Sequence, residues 1–293
     1  MRTSTIEAAG SRIRIIEDGS GEPAVLFVHG VGGWAENWSE AVSAVAATGR
    51  RAVAFDLPGF GESSAVPGAR YFDLEQPFYA MVVEGVRRAL GLDRPHLVGH
   101  SLGGGIAFVT AVTHPHAYRS LTLVAPGGLG AEIALFLRAL SFPLLALTAP
   151  LPRPKRFGRA VLRSCFHDPS LIPAHLYVEG ERYDRTYPET LRVMRHVATL
   201  RGVRPVLRHE WIARAPAYGG PVLVIWGRDD VIVPAAHADA VRGLFPAVDI
   251  RFIEAAGHLV MSERPDAFAA ALLPFLDGPA ARTMGDGVRD QER

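Results

Sequence analysis

Apolar and polar residues alternate from Thr3 to Ala8 and from Arg12 to Glu17 about a glycine-containing turn, a spacing that predicts an antiparallel opening hairpin. The pattern then changes. Ala24–His29, Ala52–Phe55, His96–Gly99, Leu121–Ala125, Val222–Trp226 and Ile250–Ile253 are short runs rich in Val, Ile and Leu, as strands buried on both faces require. Helical spacing falls between them at Glu75–Leu90, Leu102–Thr113, Ala235–Leu244 and Pro265–Leu276. Strand and helix alternate through Ala125, which predicts a largely parallel sheet with helices on both faces.

The alternation stops for about a hundred residues. Residues 126–220 read as several helices broken by prolines at 143, 150, 152, 154, 169, 173, 188 and 205, and strand character returns only at Pro221. An insertion between two strands is the simplest organisation: a core of residues 1–125 and 221–277, a helical cap of 126–220, and a polar tail of 278–293 expected to be disordered. Charge supports the division. The insertion carries 14 Lys or Arg against 7 Asp or Glu, while the whole chain is nearly balanced at 31 against 30.

That balance gives no reason to expect nucleic acid as a partner. With 48% hydrophobic residues the 293-residue chain can bury a large core. Cys165 is the sole cysteine, which excludes an internal disulfide and fits a reducing cytoplasm; a packed cap residue is the plainer reading of it than a reactive thiol. Met1–Gly10 has no apolar run of signal-peptide length, so a cytoplasmic location is expected. The apolar stretch Leu135–Leu151 is interrupted by Arg138 and Pro143 and is short for a bilayer, so it reads as a pocket-lining helix, with no stable membrane insertion.

Chemistry enters at Gly99-His100-Ser101-Leu102-Gly103, a G-x-S-x-G pattern between a predicted strand and a predicted helix. A serine on such a sharp turn needs glycines two positions to either side, where a side chain would strike the neighbouring strand and helix. The new helix aims its N-terminal N–H groups at the reacting centre, so Leu102 N–H is one candidate oxyanion donor. The Gly-rich loop His29-Gly30-Val31-Gly32-Gly33 follows a predicted strand and offers Val31 N–H as the second, with Gly32 next. Serine needs a histidine base and a carboxylate to orient it. Of eleven histidines, His258 lies in the loop after the last predicted strand. Asp229 and Asp230 lie after the preceding one, and Asp230 has the better spacing from Gly227.

With these loops in the order Ser, Asp, His, the chain resembles the α/β-hydrolases from about Glu22 to Leu276, including the Asp56-Leu57-Pro58-Gly59-Phe60-Gly61-Glu62-Ser63 loop. The resemblance implies a mostly parallel eight-stranded sheet with a helical cap after the sixth strand. A serine at the nucleophile position separates the chain from haloalkane dehalogenases and epoxide hydrolases, which use aspartate there. Pro126-Gly127-Gly128-Leu129-Gly130 and Arg182 in Gly180-Glu181-Arg182 also resemble the meta-cleavage product hydrolases, which split carbon–carbon bonds. In that family the arginine's position implies a clamp for a substrate carboxylate. The chain departs from it at Leu259, where tryptophan is usual, and at His100, where asparagine is usual.

The expected activity is that of a carboxylesterase-like serine hydrolase acting on a small, moderately hydrophobic molecule, with Ser101, Asp230 and His258 as triad and Gly32, Trp34, His100, Arg182 and Leu259 near substrate. Phe136, Phe142 and Leu145 are expected to supply apolar wall. Three alternatives stay open: a carbon–carbon hydrolase, a cofactor-free perhydrolase or haloperoxidase-like enzyme, and a non-catalytic ligand-binding relative. Metal-site and dinucleotide motifs are missing from the sequence, so no cofactor is expected, and a homo-oligomer is left open.

Overall fold

The computed structural model describes residues 1–149, 151, 155–181 and 183–278. Arg182 and residues 279–293, which include almost all of the expected tail, lie outside the described residues.

Strands β1 (Arg2–Ala8) and β2 (Ser11–Asp18) form the predicted hairpin, with Ile6 opposite Ile13. β3 (Gly21–Val28), β4 (Arg50–Phe55), β5 (His96–His100) and β6 (Ser120–Val124) follow. β7 (Ala198–Thr199) and β8 (Gly202–Val203) make a small separate hairpin within the insertion. β9 (Val222–Gly227) and β10 (Val248–Ile253) complete an eight-stranded sheet in the order β1-β2-β4-β3-β5-β6-β9-β10. All pairs from β4 to β10 are parallel, and Val28 is level with both Phe55 and Gly99. The loops after β3, β5, β9 and β10 therefore open at one edge of the sheet, the place where ligands bind in such folds. This is the architecture the resemblance implied.

Side-chain alternation divides the core into two layers. Leu26, Val28, Leu97, Leu123 and Val224 face helices α2 (Phe78–Ala89) and α3 (Leu102–Thr113). Val25, Phe27, Val98, Leu223 and Ile225 face α1 (Ser39–Ala46), which sequence periodicity missed, and the C-terminal helix α10 (Pro265–Asp277). With both faces covered, every residue of β5, β6 and β9 is buried. This is why those strands read as continuous rather than alternating apolar runs.

Between β6 and β9 lie α4 (Leu135–Leu140), α5 (Lys155–Ser164), α6 (Ala174–Glu181), α7 (Tyr183–Val197) and α8 (Pro205–Ile212). Prolines 143, 169 and 205 each open a helical segment, as their fixed φ favours. Pro188 instead sits inside α7, contrary to expectation. The helix is held through it by buried Tyr187, Leu191 and Met194 and by Tyr71 Oη, which donates to buried Glu189 at 2.6 Å. A second difference is at Ala235–Val241, a 3₁₀ rather than α segment, in which Ala238 and Val241, three residues apart, face inward together. The stretch Leu135–Leu151 is not one helix. Arg138 and Ser141 close α4, and Pro143–Thr148 is a separate 3₁₀ turn. The short α9 (Val260–Glu263) precedes α10.

Among the described residues no helix is long and apolar enough to cross a membrane.

Candidate active site

β5 ends at His100, and the chain turns abruptly into α3 at Ser101, whose φ of 53° and ψ of −119° lie where L-residues rarely go. Such a conformation costs of order 1–3 kcal/mol and persists only where the surroundings enforce it. They do so here. Ser101 N–H donates to Val124 O at 2.9 Å, and Ser101 O accepts from Gly105 and Gly127 N–H. A Cβ on Gly99 would lie 2.2 Å from Gly103 O, and one on Gly103 would lie 2.3 Å from Val28 O. Both glycines of the motif are thus steric requirements of the turn.

Leu102 is the first residue of α3, so its N–H has no partner within the helix. The Gly30–Gly33 turn after β3 closes through Gly33 N–H to Gly30 O at 3.1 Å, and Val31 N–H has no backbone partner among the described residues. His29 fixes this loop from beneath: Nδ1 donates to Gly30 O at 2.7 Å and Nε2 accepts from Leu57 N–H at 2.9 Å. Complete burial pushes its pKa down to about 4, keeping it a neutral spacer. Asp56 organises its own loop as well, accepting from Ala35 and Glu62 N–H.

The acid and the histidine meet. His258 Nδ1 lies 2.7 Å from Asp230 Oδ2, with both side chains buried. Asp230 Oδ1 accepts from Ile232 and Val233 N–H at 2.8 and 2.9 Å, and Oδ2 also accepts from Trp226 Nε1 at 3.1 Å. Four donors therefore fix one carboxylate. Asp229, by contrast, is exposed, and its carboxylate lies 3.7 Å from His167 Nδ1. Donation from Nδ1 to Asp230 leaves Nε2 of His258 free to take a proton. Ser101 and His258 line the same cavity, of about 100 Å³, and no hydrogen bond joins them among the described contacts.

Of the other expected residues, Gly32, Trp34, His100 and Leu259 line this cavity along with Val31, Asn37, Phe136, Cys165 and Thr190. His100 does two things: its ring lies 4.6 Å from that of His258, and Nε2 donates to His258 O at 3.0 Å. Burial holds its pKa well below the ordinary histidine value. Phe142 departs from expectation, being exposed and outside the cavity, while Leu145 packs against the core without lining it. Cys165 is a wall residue, and burial pushes its thiol pKa up to about 12, which leaves it unreactive.

A second cavity, of about 90 Å³, lies on the other side of Ser101 and shares Val31, Ser101 and Leu137 with the first. It includes Leu102 but not His258, and its side chains are almost wholly apolar: Phe72, Phe108, Leu129, Ile133, Met194 and Trp211 among them.

Two contributors were invisible to sequence patterns. Trp226, the penultimate residue of β9, divides its indole N–H between Asp230 Oδ2 and Val233 O. Glu263, buried in α9, accepts from Gly257 N–H at 2.7 Å, His167 N–H at 3.0 Å and Asp168 N–H at 2.7 Å. Together with Leu259 N–H donating to Cys165 O at 3.0 Å, it ties the histidine loop to the insertion. Glu263 is five positions from His258, but its partners at 167 and 168 are almost a hundred positions away.

The family profile described as alpha/beta hydrolase fold matches residues 23–265. The chain is 31% identical over 269 residues to the 2-hydroxy-6-oxo-6-phenylhexa-2,4-dienoate hydrolase of Burkholderia cepacia, covering 90% of this chain and 91% of that one. It is 30% identical to the dihydrolipoyllysine-residue acetyltransferase component of the acetoin cleaving system of Cupriavidus necator, covering 92% of this chain and 67% of that one. Among solved structures it is similar to a bacterial membrane phospholipase A, with a TM-score of 0.78, 28% identity, and coverage of 96% of this chain and 86% of that one.

Proposed function

Because the chain belongs to the α/β-hydrolase family, we propose that it is a serine hydrolase cleaving an ester or related acyl bond of a small, moderately hydrophobic substrate. The observation that carries this reading is the His258–Asp230 pair at 2.7 Å beside a cavity that the strained Ser101 also lines.

In this reading His258 Nε2 takes the Ser101 proton as Oγ attacks the substrate carbonyl carbon, and Val31 and Leu102 N–H donate to the oxyanion. His258 returns the proton to the leaving group. Water, deprotonated by the same nitrogen, then attacks the acyl-enzyme and releases the acid. Asp230 keeps the Nδ1 proton in place throughout. The two cavities suggest how the substrate divides. The leaving group must reach His258, which belongs to the first cavity alone, so the acyl portion belongs in the apolar second cavity beside Leu102. An acyl group of aliphatic or aryl character suits that lining.

Carbon–carbon hydrolysis is the second reading, favoured by the 31% identity to the dienoate hydrolase across nine-tenths of the chain. Arg182, the carboxylate clamp it calls for, lies outside the described residues. Both readings use the same three side chains. A p-nitrophenyl ester series and a ring-fission dienoate, assayed by absorbance alongside fluorophosphonate labelling, separate them. Ester turnover with labelling lost in Ser101→Ala supports the first, dienoate turnover far above ester turnover supports the second, and the absence of labelling and of both turnovers overturns each.

A further inference from the structure

The apolar stretch that sequence analysis assigned to the pocket has two sides. Phe136 and Leu137 face the cavities, yet Leu135 is 76% exposed, and the 3₁₀ turn Pro143–Thr148 presents Leu144 and Leu147 at 63% and 74%. Residues three apart in a 3₁₀ helix lie on one side, so these two leucines project together. Phe142 and Leu151 beside them, and Phe157 at the start of α5, are exposed too. Helix α5 repeats the division: Gly158 and Leu162 turn to the first cavity, while Arg156, Arg159 and Arg163 form an exposed stripe at helical spacing. Both the 3₁₀ turn and α5 pack on α7. Lys155 is exposed beside this stripe, and the sequence from Ile133 to His167 has no Asp or Glu to offset it.

We propose that the outer face formed by Leu135, Phe142, Leu144 and Leu147 with Arg156, Arg159 and Arg163 is a docking surface for an anionic lipid bilayer, bound peripherally. Exposed leucine and phenylalanine next to a cationic stripe is the composition of interfacial elements, in which the apolar residues enter the acyl boundary and the cations meet headgroups. Charge decides between occupants. A second copy of this chain seated across a two-fold axis sets the same cationic stripe against itself, whereas an anionic bilayer supplies both the apolar phase and the opposite charge. The inner faces of α4 and α5 wall the cavity at Ser101, so a docked bilayer lies directly outside that wall. The surface is independent of which bond the enzyme cleaves.

The test is sedimentation of the full chain with phosphatidylcholine vesicles, alone or containing about a third phosphatidylserine. Binding is expected to the mixed vesicles, weak to phosphatidylcholine alone, and reduced as salt rises from about 0.05 to 0.5 M. Leu144→Glu/Leu147→Glu and Arg156→Glu/Arg163→Glu should each weaken binding by roughly tenfold or more while leaving turnover of a soluble ester unchanged. None of these four residues lines either cavity beside Ser101, and all are exposed. No binding to mixed vesicles, or binding that neither double variant weakens, overturns the proposal. So does a dimer in solution that Leu144→Glu/Leu147→Glu dissociates, since a second copy then covers the face.

Discussion

Glu263 is a buried carboxylate with three backbone N–H donors on it, and removing it is a perturbation whose size follows from that count. In Glu263→Gln the amide oxygen can keep Gly257 and His167 while the NH₂ group confronts Asp168 N–H. One hydrogen bond is lost and two donors, Asp168 N–H and the new NH₂, are left facing each other in a part-buried site, a cost of about 2–3 kcal/mol. In Glu263→Ala all three donors lose their acceptor, and the cost rises to about 4–6 kcal/mol if water enters to satisfy part of the demand. At roughly 2–4 °C per kcal/mol for a chain of this size, the melting temperature should fall by about 5–10 °C and about 10–20 °C respectively. Because Gly257 adjoins His258, and a Cβ on Gly257 would lie 2.7 Å from His167 N, the loosened contact should reach the chemistry. Turnover of a p-nitrophenyl ester should fall several-fold in Glu263→Gln at unchanged fluorophosphonate stoichiometry, and amide exchange at 165–168 should accelerate. Melting within about 1 °C of the parent for both variants, or faster exchange with unaltered kcat, refutes the idea that this carboxylate positions the histidine loop.

Three further outcomes are expected. Trp226→Phe removes one of four donors to Asp230 and should lower kcat by roughly 3- to 10-fold with little change in KM, the equivalent of about 1 kcal/mol, read from steady-state kinetics. Gly103→Ala puts a methyl 2.3 Å from Val28 O and 2.4 Å from His29 O, and should cost several kcal/mol and leave little soluble active protein, seen by thermal melting of whatever purifies. Burial, with a smaller contribution from Arg119, pushes the pKa of His96 down to about 3. The unfolded chain therefore binds its proton more readily than the native one, and the stability His96 supports is whole above about pH 6.5 and declines as pH falls toward 3. Against a His96→Gln reference, denaturant titrations at pH 7 and pH 4.5 should show the parent losing about 2–3 kcal/mol relative to the variant, and an unchanged difference contradicts the shift.

Much of the fold was legible because periodicity and sterics are local. A run such as His96-Leu-Val-Gly-His, apolar at both parities, announces a strand covered on both faces, and Gly99 and Gly103 announce the turn that only glycines allow. The order Ser, Asp, His was read along the chain and carried the family resemblance, and the parallel sheet brings the three loops to one edge. Missed elements had local reasons as well. Helix α1 is only eight residues long, and Pro188, a helix breaker by its own chemistry, is overruled by the packing of Tyr187 and Leu191.

By itself, then, the sequence determined the sheet, the strained serine turn, and the loops in which an acid and a base would be found. Only tertiary structure decided that Asp230 rather than Asp229 meets His258, that Trp226 and Glu263 hold the two loops, and that Leu135, Leu144 and Leu147 of the apolar stretch face outward. The reason is physical: side-chain pattern states which faces of an element must leave water, while the identity of the partner depends on residues such as His100 and His258, 158 positions apart, that meet only when the chain has closed.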